Sequence, residues 1–67
     1  MWYTLREKAP RDGTQHPIWL KYNYSQEQFP EWGLWYSGAW YVGGRQIEMS
    51  GWEFVAWFDL PPYRGEQ

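Results

Sequence analysis

A chain of 67 residues has room for one small domain, and without cysteine it forms neither a disulfide nor a thiolate zinc site. A single histidine excludes a metal centre built from histidines, and a net charge of −2 argues against a basic groove for nucleic acid. The first residues lack the basic start and apolar run of a signal peptide, and no stretch has membrane-spanning length, so we expect a cytoplasmic protein.

The first half of the chain predicts two strands with a turn between them. Residues 2–5 are a short β-prone run, and residues 10–13 combine the proline, aspartate and glycine of a tight turn. Residues 18–24 alternate with the period of two that is typical of a half-buried strand. One face of this strand carries Ile18, Leu20, Tyr22 and Tyr24. A single helical turn is the alternative at residues 4–9 and 25–31.

The middle of the chain predicts a third strand and a hairpin. Pro30 helps to end a polar connector, and the aromatic residues 32–36 are predicted to form a strand. Gly43-Gly44 separates the β-prone residues 39–42 from residues 45–48. Two glycines between such runs indicate a tight hairpin with a primed turn, because that turn needs positive φ at both central residues.

Residues 52–60 form the last predicted strand, which the pair Pro61-Pro62 ends because proline donates no ladder hydrogen bond. Strict alternation places Trp52, Phe54, Ala56 and Phe58 on one face and Glu53, Val55, Trp57 and Asp59 on the other. Glu53 and Asp59 are therefore predicted to share a face.

These elements predict an all-β domain, or a mostly β domain with one short helical turn. We expect an antiparallel meander of four to five strands, as a bent sheet or an open barrel, with residues 1–67 in one domain and residues 63–67 as a loose tail. Seven Trp, six Tyr and three Phe replace a disulfide or metal as the source of stability. A body this small does not enclose them all, and an exposed aromatic patch is the usual mark of a binding face.

The two ends of the chain carry a recognisable pattern. The start combines Trp2, Pro10 and Gly13 with an aliphatic strand, and a tryptophan-bearing strand at Trp40 follows. The finish reads Val55-Ala56-Trp57-Phe58-Asp59-Leu60-Pro61-Pro62. This pattern resembles a family of short phage and prophage proteins of unknown function (the DUF551 type), whose members close on a His-Trp-Met-Pro-Leu-Pro type of ending.

Trp57, Leu60 and Pro61 match that ending, whereas Ala56 replaces the histidine and Asp59 replaces the first proline. The middle of the chain does not match the family in any specific way. The resemblance implies a mobile-element product that acts in the cytoplasm of a bacterial host. A function that depended on the histidine would not be retained at that position.

Catalysis has little support in the sequence, and we expect no enzyme, no catalytic residue and no cofactor. His16 is the only residue that could serve as the usual base of a hydrolytic triad, and it lies beside a turn. Glu48 and Glu53 flank the Ser50-Gly51 turn, but acid–base work would need one of them buried with a raised pKa. The interior of so small a domain is also too small for both a hydrophobic core and a deep catalytic cleft.

Two binding functions rest on the tryptophans. Exposed aromatic rings on a small sheet stack on single-stranded nucleic acid, with candidates Trp19, Trp35, Trp40 and Tyr41. Six basic against eight acidic residues make this the second choice. Trp35 and Trp57 also have a spacing loosely like that of the WW domains, which bind proline-rich peptides, although the flanking residues do not fit.

The charge distribution supplies the favoured hypothesis. Residues 1–24 carry a net charge of +2, and residues 25–62 carry −4. Carboxylates in a row on a rigid sheet imitate phosphates and occupy the nucleic-acid channel of a larger protein. We therefore expect a phage-encoded protein-binding module that inhibits a host or defence complex in the anti-CRISPR manner. The predicted partner-binding residues are Glu31, Glu48, Glu53, Asp59, Trp40 and Tyr41. A homodimer that buries surplus aromatic side chains is a further alternative.

Overall fold

The structure is a computed structural model, and it describes residues 1–59. Six strands form one antiparallel sheet: β1 Trp2–Tyr3, β2 Thr14–Tyr22, β3 Gln28–Tyr36, β4 Ala39–Val42, β5 Arg45–Gln46 and β6 Trp52–Phe58. A 3₁₀ turn, Ile47–Ser50, connects β5 to β6. The sheet is open, with the order β1-β6-β2-β3-β4-β5. The prediction of a mostly β, antiparallel open sheet is confirmed. The sheet has six strands rather than the predicted four to five, because two-residue strands form both edges.

The strands β2 to β5 follow one another as a meander, and β6 then returns to the far side of β2. The glycine pair predicted to make a hairpin does so between β4 and β5, with φ of 60° at Gly43 and 82° at Gly44. Only glycine adopts this pair of angles without steric cost.

The sheet curls around its core. Trp40 of β4 stacks on Phe54 of β6, with ring centroids 5.6 Å apart, although β2 and β3 lie between those two strands in the sheet. The inner face is therefore concave and the outer face convex. The five buried hydrophobic side chains all belong to this inner side: Ile18, Leu20, Trp40, Ile47 and Trp57. Two of the five are tryptophans, and most of the partly buried side chains that pack against them are aromatic as well.

Gly33 of β3 makes the close packing on the inner face possible. A Cβ atom at this position would lie 2.6 Å from Cδ1 of Ile18 and 3.1 Å from a ring carbon of Trp40. Both neighbours are buried in the core. The absence of a side chain at Gly33 therefore lets the core side chains of β2 and β4 meet over β3.

A β-bulge in β6 corrects the predicted alternation of that strand. Trp19 opposes Ala56 and Leu20 opposes Phe54, so Val55 is an extra residue without a partner on β2. The bulge brings Phe54 and Trp57 to the same inner face, where both pack on Trp40. The prediction that strict alternation holds throughout this strand is wrong, because an inserted residue reverses the sidedness of all that follow.

Two prolines lie within strands rather than at their ends. Pro17 opposes Trp32, and Pro30 opposes Trp19, in the ladder between β2 and β3. Pro30 occupies the part of β3 that β4 does not cover, since β4 pairs only from Leu34 onward. An edge position tolerates proline because no ladder bond is needed there. The prediction that Pro30 ends a connector is therefore wrong, and a helical turn at residues 25–31 does not form.

The remaining boundaries differ from the sequence prediction for local reasons. Residues 4–8 form a hydrogen-bonded turn in which the amides of Glu7 and Lys8 donate to the carbonyl of Thr4. The predicted strand at residues 45–48 stops after Gln46, because Ile47 turns into the core with 1% of its surface exposed. The end of the last predicted strand, the Pro61-Pro62 stop and the 63–67 tail lie outside the described residues.

Among residues 1–59, no helix is both long enough and apolar enough to cross a membrane. The same residues contain no group of three or more His, Asp or Glu side chains placed to hold a metal ion.

Candidate functional site

The convex outer face of the sheet carries most of the large apolar side chains that the core does not use. On β2 and β3 these side chains face each other across the ladder, Pro17 opposite Trp32 and Trp19 opposite Pro30. The paired residues of β1 and β6 extend the same face. We call this set the aromatic face: Trp2, Pro17, Trp19, Pro30, Trp32 and Phe58.

The rings of the aromatic face are arranged in two groups. Trp2 contacts Trp19 at 6.1 Å and Phe58 at 5.1 Å between ring centroids, so three rings support one another at one side. Trp32 stands apart, and its indole Nε1–H donates to Oε1 of Gln15 at 2.7 Å. Trp2 is 42% exposed and Trp32 is 53% exposed, which leaves wide areas of ring open to solvent.

The aromatic face carries almost no charge. The outward positions of the β2, β3 and β6 strands hold one basic and one acidic side chain, Lys21 and Glu53, which lie opposite each other. Their Nζ and Oε1 atoms are 3.5 Å apart, so the two charges compensate. The outward positions of these strands therefore carry no net charge among residues 1–59.

A second concavity lies beside the core, on the inner side of β2 and β6. Its volume is about 170 Å³, and it is lined by Lys8, Ala9, Pro10, Arg11, Thr14, His16, Trp57 and Asp59. The Lys8 ammonium donates to the Asp59 carboxylate, and this bond lowers the pKa of Asp59 and raises that of Lys8. The indole Nε1–H of Trp57 donates to the carbonyl of Lys8 at 2.8 Å, which ties the N-terminal turn to the core.

His16 and Thr14 are the pair in this concavity that most resembles a base and a nucleophile. Their Nε2 and Oγ1 atoms are 2.8 Å apart, but the Thr14 hydroxyl donates its only proton to the carbonyl of Arg11. While the Thr14 hydroxyl donates to Arg11, the bond between Thr14 and His16 forms with the His16 tautomer that carries its proton on Nε2. Burial lowers the pKa of His16, and the Asp59 carboxylate and the Phe58 carbonyl oppose that shift.

The four carboxylates predicted to bind a partner lie on four different parts of the fold. Glu31 opposes Ile18 within β3, and Glu48 is exposed on the 3₁₀ turn. Glu53 and Asp59 lie on opposite faces because the bulge separates them, and six residues of extended chain span roughly 20 Å. Lys21 neutralises Glu53, and Lys8 neutralises Asp59. The structure does not bring the four side chains into one row.

The two aromatic residues of the predicted set have different environments. Trp40 is 2% exposed in the centre of the core and presents no surface to a partner. Tyr41 points to the outer side, and its hydroxyl accepts a hydrogen bond from Nε2 of Gln46 at 3.2 Å. Of the other sequence candidates for stacking, Trp19 belongs to the aromatic face, whereas Trp35 packs on Trp40. Trp57 is buried as well.

Sequence reasoning missed Trp2, Trp32 and Phe58 as surface residues. The sequence did hold one signal for an outward aromatic side. The alternation in β2 places Trp19 on the side opposite to the buried Ile18 and Leu20. The side on which Phe58 lies depends on the bulge, which has no evident sequence signature.

Comparisons with protein families, with curated proteins and with solved structures found no match. The resemblance to the short phage proteins therefore stays a prediction.

Proposed function

We propose that this chain is a protein-binding module and that the aromatic face is its binding surface. The observation that carries the proposal is the exposure of Trp2 and Trp32 on a face that holds one compensated ion pair. Exposed tryptophans that cluster on a rigid scaffold are the residues that most often dominate the energy of protein–protein interfaces.

The folded state buries only part of Trp32, the most exposed ring of the aromatic face. The five buried hydrophobic residues are on the other side of the sheet, and about half of the Trp32 surface is in water. Polar side chains at the outward positions would keep a monomer of this size soluble, whereas an exposed apolar patch promotes association. A binding role accounts for side chains that the core does not need.

A protein partner fits this face better than single-stranded nucleic acid does. Stacking platforms for nucleic acid lie in grooves whose basic residues follow the phosphates. Lys21 is the only basic side chain on the outward positions of the described strands, and Glu53 compensates it. Nucleic-acid binding remains the alternative function, and a salt-dependent affinity for oligonucleotides would identify it.

Inhibition of a host or defence nucleoprotein complex is the biological role that we propose for such a module. The resemblance to short phage proteins supports this role. The acidic residues would then act separately, around the rim of the partner, rather than as one row that imitates a nucleic acid.

The test is capture of partners from a bacterial lysate by immobilised protein. We expect a stoichiometric protein partner with the native chain and at least a tenfold loss of it with a Trp2→Ala and Trp32→Ala double variant. Tyr24→Ala is the matched control, because Tyr24 is 87% exposed but lies outside the aromatic face. Capture that survives the double variant, or that is lost equally in the control, would contradict the proposal.

A further inference from the structure

The concavity beside the core combines an apolar base with a charged mouth. Pro10 and Trp57 line it and are buried, and they form the base. The side chains of Lys8 and Asp59 are 47% and 36% exposed, and Arg11 is exposed as well. The charged side chains therefore surround the opening, where a ligand would enter.

The mouth carries one positive charge that no described residue compensates. Lys8 and Asp59 neutralise each other. The Arg11 guanidinium makes neither an ion pair nor a hydrogen bond within the described part of the chain. The adjacent carboxylate, Asp12, is turned away and accepts a hydrogen bond from the Ser37 amide at 3.1 Å. Two basic side chains against one acidic side chain leave a net charge of +1 on the lining, which favours an anion.

The size of the concavity limits the ligand to about one ring. Its volume is about 170 Å³. A protein cavity of about 150 Å³ accepts benzene, whereas sites for drug-sized ligands have volumes of roughly 300–1,000 Å³. The concavity is therefore too small for a nucleotide and large enough for a ring or a branched side chain.

The polar groups near the base ask for no hydrogen bond from a ligand. The Trp57 indole N–H donates to the carbonyl of Lys8, and the Thr14 hydroxyl donates to the carbonyl of Arg11. Nδ1 of His16 is buried, so a ligand in the concavity does not reach it. The inner part of a ligand can thus be wholly apolar. At the mouth, the guanidinium of Arg11 presents a fork of N–H donors that matches a carboxylate.

From this volume, this base and this charge, we infer that the concavity is a binding site for a small apolar carboxylate. Its ring or branched chain packs on Pro10 above Trp57, and its carboxylate binds Arg11. The site lies on the inner side of β2 and β6, away from the aromatic face, so the inference does not depend on the proposed function. A free aromatic acid and the carboxy terminus of a protein that ends in an apolar residue supply the same chemistry.

Benzoate is the probe, titrated into the full chain at pH 7.5 and constant ionic strength. At this pH His16 is neutral, because burial lowers its pKa. NMR shifts of the indole N–H signals report the site, and we expect saturable shifts at Trp57, with none at Trp32 on the aromatic face. The dissociation constant should be on the order of 1 mM, as for a ligand of this size. Benzamide, which has the ring without the charge, and inorganic phosphate, which has charge without a ring, should bind more weakly.

Charge variants test the role of the mouth in opposite directions. Arg11→Gln should weaken benzoate binding by about fivefold or more, because it removes the guanidinium. Asp59→Asn should strengthen binding, because it removes the negative charge from the lining. Arg45→Gln is the matched control, since Arg45 is an exposed arginine on β5 that does not line the concavity. Far-UV circular dichroism establishes that the variants are folded.

Four results would overturn the inference: benzamide or phosphate binds as tightly as benzoate, Arg11→Gln weakens binding no more than Arg45→Gln does, Asp59→Asn fails to strengthen it, or the shifts fall on Trp32 instead of Trp57. The source of the carboxylate is decided by acetyl-Gly-Gly-Phe with a free or an amidated carboxy terminus. Tighter binding of the free-terminus peptide than of benzoate supports a protein carboxy terminus, and weaker binding supports a free acid.

Discussion

Trp40 and Phe54 stack almost in parallel, with an angle of 15° between their ring planes, across a sheet in which two strands separate them. This contact is long-range in sequence and joins the two ends of the curl. It explains how a chain without a disulfide or a described metal site closes a core over so few residues. The rings replace the covalent link because each buries a large apolar area.

The contact predicts that Trp40 is the residue most sensitive to truncation. Trp40→Ala should cost about 3–5 kcal/mol, which is comparable with the whole stability of a small domain. We expect Trp40→Phe to cost less, because it keeps part of the ring and removes an indole N–H that is buried without a partner among the described residues. Urea unfolding followed by circular dichroism measures both, and equal losses would contradict this account.

Gly33 provides a prediction about close approach in the core. Gly33→Ala should destabilise the protein by about 1–3 kcal/mol, because its Cβ would lie 2.6 Å from Cδ1 of Ile18. Ile18→Val removes that Cδ1 atom, so the double variant should be more stable than the sum of the single losses implies. Additive losses in thermal unfolding would show that the clash is relieved in another way.

The environment of His16 predicts acid sensitivity. In the unfolded chain His16 takes up a proton near pH 6.5. In the folded chain burial lowers the pKa of His16, so the unfolded state binds more protons below neutral pH. The free energy of unfolding should therefore fall as the pH drops from 7.5 to 5. Urea midpoints of the native chain and of His16→Gln test this, and we expect a flatter pH profile for the variant; parallel profiles would refute the assignment.

The lowered pKa of Asp59 acts in the same direction at more acidic pH. Its carboxylate is stabilised by the hydrogen bond from Lys8, and this contribution is lost as the pH falls through the folded-state pKa. Asp59→Asn should remove this second, more acidic part of the pH dependence and enlarge the part due to His16, because the Asp59 carboxylate opposes the lowering of the His16 pKa. A variant profile identical to the native one below pH 4 would show that the pair does not contribute.

Charge reversal separates the acidic hypothesis from the aromatic one. Glu48→Lys with Glu53→Lys should change stability by no more than about 1 kcal/mol, because both side chains are exposed and an exposed ion pair contributes little. If acidic residues drive partner binding, lysate capture should fall at least tenfold with the fold intact. Unchanged capture would leave the aromatic face as the binding surface.

Several elements were predictable because their signals are local. The glycine pair 43–44 specifies a primed turn by its φ angles, and the alternation of Ile18, Trp19 and Leu20 assigns each to a face of β2. The site was less predictable. Trp40 was expected at the surface and lies in the core, because its burial depends on a contact with Phe54, fourteen residues later in the chain.

By itself, the sequence determined that the chain would be mostly β and that aromatic rings would form its core, since period-two alternation, turn residues and the lack of cysteine are all local or compositional properties. Only the tertiary structure decided which rings stay outside. The bulge at Val55 sets the side on which Trp57 and Phe58 lie, and the curl makes one face concave and the other convex. Both features depend on how β2 and β6 pair across more than thirty residues, and a one-residue shift in that pairing exchanges core for surface.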